Sequence, residues 1–126
     1  MKKIVMLIDD EVDFCYFLKK NLELTGEFEV VTSYDGEDGI RKIKLHRPDV
    51  ILLDIMMPGL SGPDVAAELK NDESTRNIPV VFSTAIIQEQ EVKQSQNVIG
   101  GWHYIAKPIE MDKLLALLRQ LTKERA

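Results

Sequence analysis

Cysteine is almost absent from this chain of 126 residues: Cys15 stands alone. A lone thiol forms no internal disulfide and has no second thiol for a metal site, which fits a reducing compartment and a cytoplasmic home. Long apolar runs are missing too. The N-terminus carries Lys2 and Lys3, but the apolar stretch after them, Ile4–Ile8, is too short for the core of a signal peptide or for a membrane span. Basic charge is in deficit. With 16 Lys and Arg against 21 Asp and Glu, the net charge of −5 disfavours nonspecific binding to nucleic acid and points to a protein or a cation as partner. No internal repeat, linker or low-complexity tract interrupts the chain. The length leaves room for one domain, residues 1–126, stable without staples, and none for a separate effector domain. What remains is ordinary for a soluble globular protein, with 44% hydrophobic and 29% charged residues.

Short apolar runs alternate with helix-like stretches. The runs are Ile4–Ile8, Phe28–Thr32, Val50–Leu53, Val80–Ser83 and Trp102–Ala106, and that alternation implies a parallel sheet with helices on both faces. Ile4–Ile8 and Val50–Leu53 are apolar throughout, as central strands are, whereas Phe28–Ser33 and Trp102–Ala106 mix polar with apolar residues, as edge strands do. Phe14, Phe17, Leu18 and Leu22 recur at helical spacing and predict an amphipathic first helix. A second is expected over about residues 37–46, ending before Pro48. A third should start near Ser61 as N-cap, with Asp64 in its first turn. The last, over about residues 110–123, carries Met111, Leu114, Leu115, Leu118 and Leu121 on one stripe. Between Ile86 and Ile99 the stretch Gln88–Asn97 is almost wholly polar, with Val92 as its only apolar residue. A fourth helix there has little area to hold it down and should be mobile or short.

Chemistry in an open parallel sheet lies in the crevice outside the carboxyl ends of the strands. Those ends carry Asp9-Asp10, Asp54, Ser83-Thr84-Ala85 and Ala106-Lys107-Pro108. Val50–Leu53 delivers Asp54 to such an end, and Pro58-Gly59 then makes a tight turn. Alone, Asp54 reads equally as a cap, a nucleophile or a metal ligand. Adjacent strands lie about 4.8 Å apart, so the carboxylates of the first and third strands should crowd one another. Crowded like charges call for a cation among them. A divalent ion with oxygen ligands, magnesium above all, suits aspartates and backbone carbonyls. Lys107 is a compatible second cation, and Thr84 supplies a hydroxyl between them. Singly, each of these residues reads as a turn, a cap or a solvated charge; jointly they fit chance poorly.

The set Ile8-Asp9-Asp10-Glu11, Leu53-Asp54-Ile55-Met56-Met57-Pro58-Gly59, Ser83-Thr84-Ala85 and Tyr104-Ile105-Ala106-Lys107-Pro108 resembles the receiver domain of two-component response regulators. The likeness runs from about Lys3 to Leu121, and Asp35-Gly36-Glu37 and Arg47-Pro48-Asp49 agree with it. It implies an α/β fold, a doubly wound five-stranded parallel sheet of flavodoxin-like order 2-1-3-4-5. By position it implies Asp54 as phosphoacceptor, with Asp9, Asp10, Asp54 and the backbone carbonyl of Met56 holding magnesium. Thr84 and Lys107 would contact the phosphoryl group. Thr84 and Tyr104 would form the switch that alters the surface of the fourth helix, fifth strand and fifth helix.

The resemblance further implies a sensor histidine kinase or a histidine phosphotransfer protein as donor, and a downstream protein target, with no nucleic acid or membrane involved. As an enzyme, the domain would promote only its own phosphorylation and dephosphorylation. Where the family commonly has Gly-Ala before the switch position, this chain has Gly100-Gly101-Trp102-His103. Trp102 is expected to be packed or half-exposed and His103 at the surface, and the bulky indole beside Tyr104 points to a specialised recipient. Met56, two residues after Asp54, and Ile86, two after Thr84, are both apolar. A hydrolytic water then lacks both a hydrogen-bonding side chain and an open approach, which predicts a long-lived phosphoform. Leu117, off the main stripe of the last helix, offers a face for a homodimer or a partner helix. The rival readings are a phosphorylation-independent scaffold of the same fold and a magnesium-dependent aspartyl phosphatase. The second needs another acid at the position of Met56.

Overall fold

The structure is a computed structural model and describes residues 1–85, 98–99 and 102–123. Gln88–Asn97, where the polar fourth helix is expected, and Ile86 lie outside the described residues. In chain order the elements are β1 (Lys3–Ile8), α1 (Val12–Leu24), β2 (Phe28–Ser33), α2 (Gly36–His46), β3 (Val50–Asp54), α3 (Gly62–Lys70), β4 (Val80–Thr84), β5 (Val98–Ile99), β6 (Trp102–Ala106) and α4 (Met111–Thr122). The strands lie in the order β2-β1-β3-β4-β6-β5. The first five of these are mutually parallel and reproduce the expected 2-1-3-4-5 arrangement.

β5 is the addition. Its two residues pair antiparallel with β6, Val98 opposite His103 and Ile99 opposite Trp102. The expectation that Trp102–Ala106 is an edge strand is therefore corrected, because a segment too short to give a sequence signal covers its outer side.

Alternation along the strands sends side chains into two cores. On one face Val5, Leu7, Val30, Val50, Leu52, Val81 and Ile105 meet Cys15, Leu18 and Leu22 of α1 and Leu114, Leu117 and Leu118 of α4. On the other, Met6, Ile8, Ile51, Leu53, Val80 and Phe82 meet Ile40 and Ile43 of α2 and Val65, Ala66 and Leu69 of α3. β1 and β3 are covered on both faces, which is why they read as unbroken apolar runs. Two helix faces differ from expectation. The buried stripe of α1 is Cys15, Leu18 and Leu22. Cysteine here packs as a small hydrophobe and rotates the stripe, leaving Phe17 62% exposed in an edge-to-face pair with Tyr16. On α4 the stripe is wider than Met111, Leu114, Leu115, Leu118 and Leu121 imply, and Leu117 is only 5% exposed, inside the core. The leucine that pointed to a homodimer is thus a core residue.

The outward backbone groups of the edge strand β2 are closed off by side chains from both flanking helices. Glu23 accepts from the Val30 amide at 3.0 Å, Lys19 donates to the Val30 carbonyl at 2.9 Å, and Lys42 donates to the Thr32 carbonyl at 2.9 Å. Charges so placed blunt a strand edge against pairing with another chain.

The turn that carries Asp54 out of the sheet is held from behind by the start of α3. Ser61 caps that helix with a reciprocal capping box to Asp64, as expected of it. Gly62 then donates its amide to the Ile55 carbonyl at 2.9 Å. A Cβ on Gly62 would stand 2.4 Å from the Asp54 carbonyl oxygen and 2.8 Å from Ile55 Cα, both backbone atoms without freedom to withdraw. Gly62→Ala is expected to destabilise the domain by about 1–3 kcal/mol, as overpacking does, in urea unfolding. Gly39→Ala, whose Cβ meets the mobile Cδ1 of Ile8 at 2.5 Å, should be milder.

Candidate functional site

β1 and β3 are neighbours in register, Ile8 beside Leu53, so Asp9 and Asp54 leave the sheet side by side. Asp9 is fully buried and Asp54 nearly so, while Asp10 is exposed at the mouth. One oxygen from each of the three carboxylates lies within 4.8 Å of the others. Glu11 donates its amide to Asp9 Oδ1 at 2.9 Å, which fixes the carboxylate's rotation.

Lys107 reaches this cluster from the far side. Its Nζ donates to Asp9 Oδ2 at 2.8 Å and to Glu11 Oε1 at 3.1 Å, and stands 3.8 Å from Asp54 Oδ1. The side chain is only 13% exposed and lies over the Phe14 ring, 4.5 Å from its centroid. Its backbone is positioned by donation of its amide to the Thr84 carbonyl at 3.0 Å. Thr84 itself is buried at the end of β4. Asp10, Glu11, Asp54, Met56, Thr84, Ala85 and Lys107 together line a cleft of about 290 Å³.

Electrostatics follow from the crowding. Burial, then the charge of Asp9, pushes the Asp54 carboxyl up from an ordinary 3.8 to about 6, against the pull of Lys107 and a hydrogen bond from the Met56 amide. Burial alone would depress Lys107, but its hydrogen bonds to Asp9 and Glu11 and the charges of Asp9 and Asp54 outweigh that and hold its pKa above the usual lysine value. Beneath the cluster, the Cys15 thiol donates to the Asp9 carbonyl at 3.4 Å, and burial, reinforced by Asp9, pushes it up to about 12.

The structure thus brings Asp9, Asp10, Asp54, Met56, Thr84 and Lys107 to one cleft. Tyr104 lies elsewhere. It faces Phe82 across the β4–β6 pairing, with ring centroids 5.4 Å apart. His103 is half-buried, not at the surface, and burial lowers its pKa. Trp102 is half-buried against Phe82, as expected. Sequence reasoning missed Glu11 and Phe14 as partners of Lys107. Their positions, directly after Asp9-Asp10 on the entry to α1, were the available signal.

A doubly wound sheet with an acid cluster and a lysine gathered at its carboxyl ends defines a flavodoxin-like domain. The response regulator receiver domain model matches residues 5–119, and the chain belongs to that family. Response regulator ArlR of Staphylococcus aureus is 33% identical over 122 residues, which cover 96% of this chain and 53% of ArlR. The chain spans about half the length of the curated relatives it matches. The receiver domain of Francisella response regulator 1452 superposes with a TM-score of 0.82 at 25% identity, covering 99% of this chain and 100% of that one. The receiver domain of sensor histidine kinase PA1611 from Pseudomonas aeruginosa PAO1 shares the fold with a TM-score of 0.82 at 24% identity, over 98% of this chain and 100% of that one. That structure has a magnesium ion coordinated in its active-site cleft. Receivers are signalling modules of two-component systems and not conventional enzymes. Among the described residues, no helix is long and apolar enough to cross a membrane.

The raised Asp54 pKa sets a pH dependence. An aspartate that binds its proton more tightly in the folded state favours folding at low pH, and that contribution is lost as pH rises from 3.8 to about 6. In metal-free buffer Asp54→Asn is therefore expected to melt above the wild type at pH 7.5. The difference should shrink toward pH 4, as followed by circular dichroism.

Proposed function

We propose that this receiver accepts a phosphoryl group on Asp54 from the phosphohistidine of a sensor histidine kinase or a histidine phosphotransfer protein. The observation that carries the reading is the meeting of Asp54, Asp9, Asp10 and Lys107 at one cleft, with Lys107 Nζ 3.8 Å from Asp54 Oδ1. An Asp54 oxygen attacks phosphorus while the phosphorus–nitrogen bond to the donor imidazole breaks, and the electron pair and then a proton pass to that nitrogen. Lys107 neutralises charge on the transferring oxygens and Thr84 donates to one of them. Asp54 must be ionised to attack, so the burial and the Asp9 charge that raise its pKa have to be offset by positive charge in the cleft.

The donor set fits magnesium. Three carboxylates converge within 4.8 Å, two of them buried, and hard oxygen ligands in that number suit a small divalent cation. Asp9, Asp10, Asp54 and the Met56 carbonyl would hold the ion, which when bound supplies charge neutralisation and orientation of the phosphoryl oxygens.

The output is protein binding. Thr84, drawn to the new phosphoryl group, leaves space toward which Tyr104 turns, changing the surface about β6 and α4. Residues 1–126 act as one receiver domain in the cytoplasm, with neither nucleic acid nor membrane as partner, in keeping with the net charge of −5. Trp102 beside the switch favours a specialised recipient. Turnover is limited to the domain's own acyl phosphate, since the residue two after Asp54 is Met56 and not a second acid.

Incubation with acetyl phosphate and magnesium, followed by intact mass, tests the assignment. Wild type should gain one phosphoryl group and Asp54→Asn none; an unchanged wild-type mass would favour a scaffold. The lifetime of the phosphoform is set by Met56, 63% exposed at the rim of the cleft, together with Ile86. Neither offers a water a hydrogen bond. Met56→Asn is expected to shorten the half-life of the acyl phosphate several-fold, read from the decay of the phosphorylated mass after donor removal.

A further inference from the structure

Four side chains outside the cleft form one continuous stack. Alternation along β4 places Thr84 and Phe82 on the same sheet face, Thr84 toward the cleft and Phe82 one step back. Tyr104 sits directly beside Phe82 in the β4–β6 register, and Trp102, two residues earlier on β6, shares that face. The Phe82 ring touches both: its centroid is 5.4 Å from that of Tyr104 and 5.4 Å from that of Trp102, the latter edge-to-face at 65°. Lys70, the last residue of α3, closes the row with its ammonium 5.4 Å from the centroid of the Trp102 ring, while also donating to the Arg76 carbonyl at 3.1 Å.

We infer that Trp102 is a second moving member of the switch, so that phosphorylation at Asp54 is transmitted through Tyr104 and Phe82 to Trp102 and Lys70 at the C-terminal corner of α3. The inference rests on the Tyr104 switch proposed above. Phe82 contacts both β6 rings at once, and a close-packed contact of this kind does not deform continuously. When Tyr104 leaves Phe82, the edge-to-face contact of Phe82 with Trp102 readjusts, and the indole moves relative to the lysine that covers it. The signal then reaches a surface that neither the cleft nor α4 contains. It is formed by the end of α3 and the start of β6, where a cation and an indole are presented together.

The chain holds a single tryptophan, so its fluorescence reports this position alone. Acetyl phosphate is added to the full chain with magnesium, and Trp102 emission and iodide quenching are followed while intact mass gives the phosphorylated fraction. The expected result is a shift in emission and quenching that scales with that fraction and is absent in Asp54→Asn. In Tyr104→Ala the mass should still rise while the shift is lost. A protein phosphorylated by mass whose Trp102 emission and quenching stay those of the unphosphorylated form overturns the inference and leaves the phosphoacceptor reading intact. A shift produced by magnesium alone, with none added by phosphorylation, overturns it equally. A mass that never rises removes the reading, and the inference with it.

Discussion

The site rests on a conflict between burial and charge at the ends of two adjacent strands. Parallel pairing of β1 with β3 sets Ile8 beside Leu53, so the residues that follow, Asp9 and Asp54, must share a space from which water is largely excluded. Like charges in that setting repel strongly unless a cation sits between them. Lys107, arriving from β6, supplies part of the compensation through its 2.8 Å contact with Asp9. Its own placement depends on the Phe14 ring beneath it and the Glu11 carboxylate beside it. What the lysine leaves uncompensated appears as the raised pKa of Asp54. A carboxylate held in this condition is poised toward positive charge and toward groups that bring it.

Most of this was legible in the sequence because buried parallel strands are written as unbroken apolar runs and their carboxyl ends follow at once. Ile4–Ile8 with Asp9-Asp10, and Val50–Leu53 with Asp54, gave both the layer and the site in adjacent letters. The N-cap at Ser61 was legible for a similar reason, since capping is a local hydrogen bond between near neighbours. What failed was the rotation of helix faces. On α1 the decisive apolar residue was Cys15, which is easily left out of a hydrophobic count, and without it Phe17 was placed in the core when it stands in solvent. On α4 leucines occur on so much of the circumference that spacing could not select which of them face the sheet, and Leu117 was put on the wrong side.

Contacts between residues far apart in the chain were hidden for a different reason. Glu11 and Lys107 are 96 positions apart, and nothing in local periodicity pairs them. The two-residue strand β5 is equally silent, since Val98-Ile99 is too short to carry a pattern of two. Tyr104 could be placed on a strand, but its neighbour across the ladder, Phe82, could be named only once the register of β4 and β6 was fixed. That register turns an isolated aromatic into one end of a packed row that continues through Phe82 and Trp102 to Lys70.

The buried thiol has a consequence for chemical handling of the domain. Cys15 lies beneath the acid cluster with its proton held by the Asp9 carbonyl and its ionisation suppressed by burial and by the neighbouring carboxylate. Alkylating reagents and peroxide attack the thiolate, so the protein's only native sulfhydryl is shielded on two counts. A cysteine introduced at an exposed position would then be the sole reactive thiol, and dyes, spin labels or crosslinkers could be directed to it without first deleting the native one.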